Sequence, residues 1–169
     1  MEVLEALRTR RSIRKYTRDD VPDSDIRIIL EAGMSGPSAV NSQPWHFIVI
    51  TSRSILNEIP KASLYAQMAK DAAIAIVICG DPALDKIPLF WQQDCCIAAQ
   101  NILLAAHSLG YGAVWTAAYP LEDRVLNLQK LLGIPSNIIP LAVIPIGRPA
   151  EKMKGDKPYL EERVHLDGW

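Results

Sequence analysis

Residues 72–79, AAIAIVIC, run without a polar side chain between Asp71 and Gly80. A run this short, with several β-branched residues, is too brief to cross a membrane and suits a strand covered on both faces. Covering both faces requires layers on either side, so the rest of the chain has to supply helices. The segment from Phe90 to Leu109 predicts one of them: it is apolar almost all round, and its alanines allow close approach, so the helix should be buried on several sides.

The 169 residues, 49% of them hydrophobic and 22% charged, are enough to fill one core, which predicts a single domain over 1–169 with residues 149–169 as an extended arm. Eighteen basic and 19 acidic side chains give a net charge of −1, so the chain has no general field for a polyanion and nucleic-acid binding is not expected. Cys79, Cys95 and Cys96 are an odd set with two adjacent members, which reads as reduced thiols rather than a disulfide framework. The opening MEVLEALRTRR places charges where an export signal needs an apolar stretch. No apolar run approaches the ~18 residues of a membrane span. The expectation is a soluble, cytoplasmic protein.

Along the chain, Val3, Leu4 and Leu7 share one face of a first helix that ends in the basic cluster RTRRSIRK. A second helix is predicted over 24–35, stopped by Gly36-Pro37. PSAVNSQPW then leads into HFIVI, a strand. After the helix at 90–109, Gly110-Tyr111-Gly112 breaks the pattern, AVWTA reads as a further strand, and 121–132 is an amphipathic helix ended by Gly133. The last strand, near 141–147, follows Pro140 and contains Pro145, which predicts an edge position or a bulge. The tail is charged yet closes on Val164, Leu166 and Trp169, an apolar ending that a free tail has little use for.

Two constellations bear chemistry. Arg10, Arg11, Ser12 and Arg14 combine forked guanidiniums with a hydroxyl, the donors a phosphate monoester needs; the same run would also serve as a solvated basic patch. The loop 37–45 holds Ser38, Asn41 and Gln43 stiffly between Pro37 and Pro44 beside Trp45, which fits either a grip on a flat heteroaromatic ring or an ordinary helix-to-strand connection. Dinucleotide, P-loop and nucleophile-elbow motifs are missing, and His46, His107 and His165 have no metal-ligand spacing.

RRSIR near residue 10, PSAVNSQPW at 37–45, the GYGAVWTA segment and the PIGRP turn before the tail, in that order and spacing along nearly the whole chain, resemble the nitroreductase-like FMN-dependent flavoprotein family. The resemblance implies an α+β, three-layer sandwich: a mixed, mainly antiparallel sheet flanked by helices, in a homodimer that exchanges its extended C-terminal arms. It also implies one FMN per subunit at the dimer interface, with NAD(P)H as electron donor. Arg10, Ser12 and Arg14 then look like phosphate and ribityl contacts, with Arg11 adding side chain or backbone. Pro37, Ser38 and Ala39 look like the segment the opposite subunit lays along the flavin, and Asn41 and Gln43 match polar positions near the ring. Trp115, Thr116 and Ala117 resemble the place where backbone amides face the ring edge, and Gly147 and Arg148 resemble a late contact, with Arg148 a further phosphate partner. The chemistry would be carried at the flavin N5, so no catalytic side chain and no metal is expected.

Two features depart from the family pattern. Longer members carry an acidic-glycine pair near the flavin N5, where this chain has Trp115-Thr116-Ala117-Ala118. The arginine often found before the tail's aromatic residue is replaced by Lys157-Pro158, which leaves Lys157 or Arg148 to serve. Tyr65 and Met68 fall in a region where the family has flavin ligands. The implied activity is an FMN-dependent transfer of reducing equivalents from NAD(P)H to nitroaromatic, quinone or similar acceptors by a ping-pong mechanism. The alternatives are a flavin-binding or flavin-sequestering module without efficient turnover, and a flavin-destroying or dehalogenating enzyme of the same fold.

Overall fold

The computed structural model describes residues 1–152 and 158–169. At its centre lies β2 (Ile74–Gly80), every residue of which is buried. On one side it pairs antiparallel with β1 (Trp45–Ile50), and on the other with β5 (Ile139–Gly147). Two short strands, β3 (Gly112–Ala113) and β4 (Thr116–Ala117), both pair with the far edge of β5. These ladders are all antiparallel; the one parallel feature among the described residues is an isolated bridge between Ser12 and Ala113.

Alternation along the strands divides the core in two. Ile74, Ile76 and Ile78 of β2 and Ala142, Ile144 and Ile146 of β5 face a cluster shared with α2 (Asp23–Met34) and α4 (Trp91–Ser108). Ala75, Val77, Cys79 and Val143 face the opposite cluster, shared with α3 (Arg53–Ala62), a 3-10 segment at Leu64–Asp71 and α5 (Glu122–Leu132). The run 72–79 is therefore covered on both faces, and the molecule is an α+β fold of three layers.

The helix at 90–109 runs from Trp91 to Ser108. Its first N–H groups need an acceptor, and the carboxylate of Asp85 supplies it, taking the N–H of both Phe90 and Trp91 at 3.0 Å. Gly133, at φ 65°, ends α5 in the left-handed conformation that glycine adopts without strain. Gly80 lets the chain come close: a Cβ there would lie 2.0 Å from the Trp91 ring, so the indole packs on bare backbone.

Several expectations need correction. AVWTA does not form one strand: β3 and β4 are separated at Val114 and Trp115. Their common register on β5 would set Val114 opposite Pro145, which has no N–H to give, and the Pro145 carbonyl is taken by the Tyr16 hydroxyl at 3.3 Å. β5 is not an edge strand, since it is flanked on both sides; its register shift at Ile78/Cys79 puts the predicted irregularity beside Pro140. The first helix, α1 (Val3–Thr9), buries Ala6 and leaves Val3, Leu4 and Leu7 exposed. α3 and the segment Leu64–Asp71 lie where the sequence reading assigns no element; Leu56, Ile59 and Ala62 form the buried face of α3. The tail beyond Pro158 is exposed apart from a half-buried Leu160, with Leu166 and Trp169 uncovered by the described residues of their own chain. No helix among the described residues is long and apolar enough to cross a membrane.

Candidate functional site

The extended segment after α1 runs beside β3: the Ile13 N–H donates to the Ala113 carbonyl at 3.0 Å, and Ser12 bridges to Ala113. A close backbone approach makes this possible, because a Cβ on Gly112 would meet Ile13 at 2.5 Å. The result is a cleft of about 330 Å³ lined by Arg10, Ser12, Cys96, Gln100, Leu103 and Trp115, within the size range of small-molecule sites. Three predicted residues from two distant parts of the chain thus share one wall. Cys96, Gln100 and Leu103 were not foreseen. Their offsets of four and three put them on one face of α4, a signal present in the sequence but masked by a helix that is apolar nearly all round.

The electrostatics of this cleft favour an anion. Arg10 is half-buried, and no carboxylate among the described residues lies within ion-pair distance of it. Burial, and secondarily the neighbouring Arg11, hold its pKa below the usual guanidinium value. A desolvated cation with like charge beside it gains most from a negatively charged ligand. His107, hydrogen-bonded to Thr9 Oγ1 at 2.8 Å, likewise has a lowered pKa, from burial first and then from Arg10 and Arg11.

The loop after α2 forms a separate, tightly folded unit. Its backbone turns twice, with the Asn41 N–H donating to the Ser38 carbonyl and the Ser42 N–H to the Ala39 carbonyl. Val40, Asn41 and Gln43 all have positive φ, at 45°, 55° and 50°. For a β-branched residue such as Val40 this is an outlier, and such positions cost on the order of 1–3 kcal/mol each. Surrounding groups hold the shape. Ser38 Oγ accepts the Gln43 N–H, Lys86 Nζ reaches the carbonyls of Val40 and Asn41, and Asp94 Oδ1 accepts the Ala39 N–H at 3.1 Å. Pro37 enters the loop and Pro44 leaves it, the latter's carbonyl accepting the Asp81 N–H.

The loop and the cleft belong to different faces of α4. Asp94 is buried toward the loop, whereas Cys96 and Gln100 lie on an exposed stripe with Gln93 and Ile97. One chain therefore does not enclose a single site with both groups.

The other predicted residues are placed as follows. Arg11 turns back to the end of α1, donating to the carbonyls of Arg8 and Arg10. Arg14 is exposed, and its N–H, with that of Lys15, is held by Glu151 Oε1. Thr116 is buried, its hydroxyl donating to the Val143 carbonyl at 2.7 Å, and Ala117 accepts at its carbonyl from Arg124. Gly147 lies under Tyr16, whose Cβ would be 3.2 Å from any Cβ placed there. The Arg148 guanidinium stacks over the Tyr111 ring at 4.5 Å, and Tyr111 in turn donates to Asp25 at 2.5 Å; this sets Arg148 apart from the residues lining the Arg10 cleft. Tyr65 is exposed beneath the Arg124 guanidinium, Met68 is half-buried, and Lys157 lies outside the described residues.

Comparison with known proteins gives a consistent result. The model of a family described as the nitroreductase family matches residues 7–78 and 62–148. A protein of Methanothermobacter thermautotrophicus, provisionally named an NADH dehydrogenase/NAD(P)H nitroreductase, is 56% identical over all of this chain and 88% of its own length. A crystal structure from Bacteroides thetaiotaomicron with the same provisional name is 44% identical, with a TM-score of 0.94 over 99% of this chain and 98% of that one. A provisionally named nitroreductase from Desulfovibrio desulfuricans, solved in complex with FMN, is 31% identical, with a TM-score of 0.85 over 100% of this chain and 98% of that one.

Proposed function

This chain belongs to the nitroreductase family, and we propose that it is a cytoplasmic FMN-dependent oxidoreductase that passes reducing equivalents from NAD(P)H to nitroaromatic, quinone or similar acceptors. The observation that carries this reading is the cleft where Arg10, without a carboxylate partner among the described residues, stands with Ser12 beside Gln100 and Trp115. This donor set fits a phosphorylated flavin: a cation and a hydroxyl for the phosphate, and an indole for an apolar ring system.

Bound FMN would supply the redox chemistry, taking a hydride from NAD(P)H and delivering electrons to an acceptor. The residues around it bind, orient and shield. In this reading Arg10 and Ser12 hold the phosphate, Arg11, Arg14 and Gly147 lie toward that end of the same chain, and Arg148 would join it on leaving the Tyr111 ring. Trp115, Thr116 and Ala117 border the ring edge. Pro37, Ser38, Ala39, Asn41 and Gln43 approach from the partner subunit. An open face shared in turn by donor and acceptor implies ping-pong kinetics, read as parallel double-reciprocal lines.

The dimer is part of the proposal because loop and cleft lie on different faces of α4, so a second copy is needed to bring them together. The exposed Val3, Leu4, Leu7, Leu166 and Trp169 would be covered in the same assembly, with residues 149–169 of the one-domain chain reaching across. Deleting 158–169 should weaken dimerisation and flavin affinity together; sedimentation and flavin content that both stay unchanged would exclude an exchanged arm.

The decisive experiment is the visible spectrum of the purified protein during anaerobic addition of NADH and then NADPH. Flavin bands that bleach support the reading. Bands that persist under both donors favour a flavin-binding module, and a protein that stays colourless with excess FMN refutes flavin chemistry altogether.

A further inference from the structure

Asp94 stands out among the buried polar groups. It is 3% exposed, on the first turn of α4, and it is the acidic side chain in the buried polar set of the described residues. Its Oδ1 accepts the Ala39 N–H, while its Oδ2 is buried without a hydrogen-bond partner among the described residues. An acidic side chain kept inside a fold with one oxygen unsatisfied is costly, and a neutral residue of similar size would avoid that cost. α4 does not need it as a cap, because Asp85 already takes the first N–H groups.

We propose that Asp94 is a positioning residue, holding the Ser38–Gln43 loop through the Ala39 N–H in the shape in which it meets the flavin; this rests on the reading that the loop lies along the flavin. The loop's three left-handed, non-glycine residues need holding in place; Ser38 Oγ and Ser42 Oγ do part of this within the loop, and groups outside it do the rest. Its anchors from other elements are Asp94 and Lys86, the latter through its backbone N–H to Ser42 Oγ and through Nζ to the loop carbonyls. The Lys86 side chain is exposed and can trade the loop carbonyls for water, and its backbone N–H holds Ser42 at the far end of the loop, away from Ala39. Asp94 is buried, where a hydrogen bond is electrostatically stronger than in water. The helix that carries it also carries Cys96 and Gln100 into the cleft, so one element fixes both the wall of its own site and the loop offered to the partner's flavin.

The test uses full-length wild type, Asp94→Ala, Asp94→Asn and Ala39→Pro. Proline at 39 deletes the N–H without touching Asp94, and Ser38 is already extended at φ −139° and ψ 154°, as a residue before proline must be. Two readouts are taken: amide hydrogen exchange of residues 40–43 in the flavin-free protein, and the visible circular dichroism and NADH-driven reduction rate of the FMN-loaded protein. Asp94→Ala and Ala39→Pro should each speed loop exchange by about tenfold, the equivalent of one hydrogen bond lost in a dry site. Both should also alter the flavin dichroism and slow reduction. Asp94→Asn, whose side-chain oxygen can accept the same N–H, should stay within about threefold of wild type. The Ala39→Pro/Asp94→Ala double variant should be no worse than the worse single one.

Unchanged exchange in Ala39→Pro, or Asp94→Asn as damaged as Asp94→Ala, overturns the proposal. If Asp94→Ala does not fold, Ala39→Pro and Asp94→Asn decide it. Faster exchange with an unaltered flavin signal overturns the loop's place at the flavin, whereas a wild type that takes up no FMN overturns the proposed function itself.

Discussion

Replacing Arg10 with glutamine keeps a hydrogen-bonding side chain of similar reach but removes the charge from the cleft. In the structure this guanidinium is half-buried, has no carboxylate partner among the described residues and is held below its usual pKa by burial and by Arg11. A hydrogen bond assisted by charge contributes about 1.5–3 kcal/mol, and each 1.4 kcal/mol is tenfold, so the FMN dissociation constant should rise by about 10- to 150-fold. The upper part of that range is expected because phosphate binding relieves the unfavourable burial of the cation. Riboflavin has no phosphate, so its affinity should change by no more than about twofold. Quenching of flavin fluorescence, titrated with both ligands at two salt concentrations, measures the difference, and the salt dependence of FMN binding should flatten in the variant. Equal losses for FMN and riboflavin, or an FMN affinity within about twofold of wild type, would refute a phosphate contact at Arg10.

Gly80→Ala should force Trp91 off the end of β2, since the new Cβ would sit 2.0 Å from the indole; such overpacking costs about 1–3 kcal/mol. Calorimetry of the flavin-free protein at fixed concentration should show Tm falling by about 3–10 °C, partly restored by Trp91→Leu. Thiol titration at pH 8 should find no more than one reactive cysteine in the native protein, Cys96, because Cys79 and Cys95 are buried and burial pushes the Cys79 thiol up to about 12. Denaturant should release all three cysteines; rapid native reaction of a second would contradict the packing. His107 has a folded pKa below its unfolded value, so the unfolded chain binds the extra proton first. Its contribution is complete above the unfolded pKa and is lost as pH falls through that value toward the folded one. Urea unfolding of wild type should therefore weaken from pH 7.5 to 5.5 more steeply than that of His107→Gln, and parallel profiles would remove His107 from the account.

Much of this could be read from the sequence because it is local. Period and composition identify the buried strand at 72–79, the long helix at 90–109 and the glycine that ends α5, since burial on one or both faces leaves a mark at each position along an element. The basic cluster and the polar loop are also legible as chemistry, though the same residues read equally well as surface. Family resemblance assigns them a cofactor, but not a geometry. What the pattern leaves out follows from partners distant in sequence. Pro145 divides β3 from β4 because it falls opposite Val114, a register that exists only once β5 has been laid down. Arg148 resembles a phosphate ligand in its turn, yet its position over Tyr111 depends on how the end of α4 meets β5.

Neighbours within a few residues are enough to mark the strand at 72–79, the helices at 24–35, 90–109 and 121–132, and the places where polar groups cluster, whereas the buried face of α1 and the break between β3 and β4 depend on distant partners. That Arg10 and Ser12 stand beside Gln100 and Trp115, and that Asp94 reaches a loop 55 residues away, follows from the packing of whole elements. Those distances are set by how closely whole elements pack, and side-chain periodicity carries no record of which element will be the neighbour.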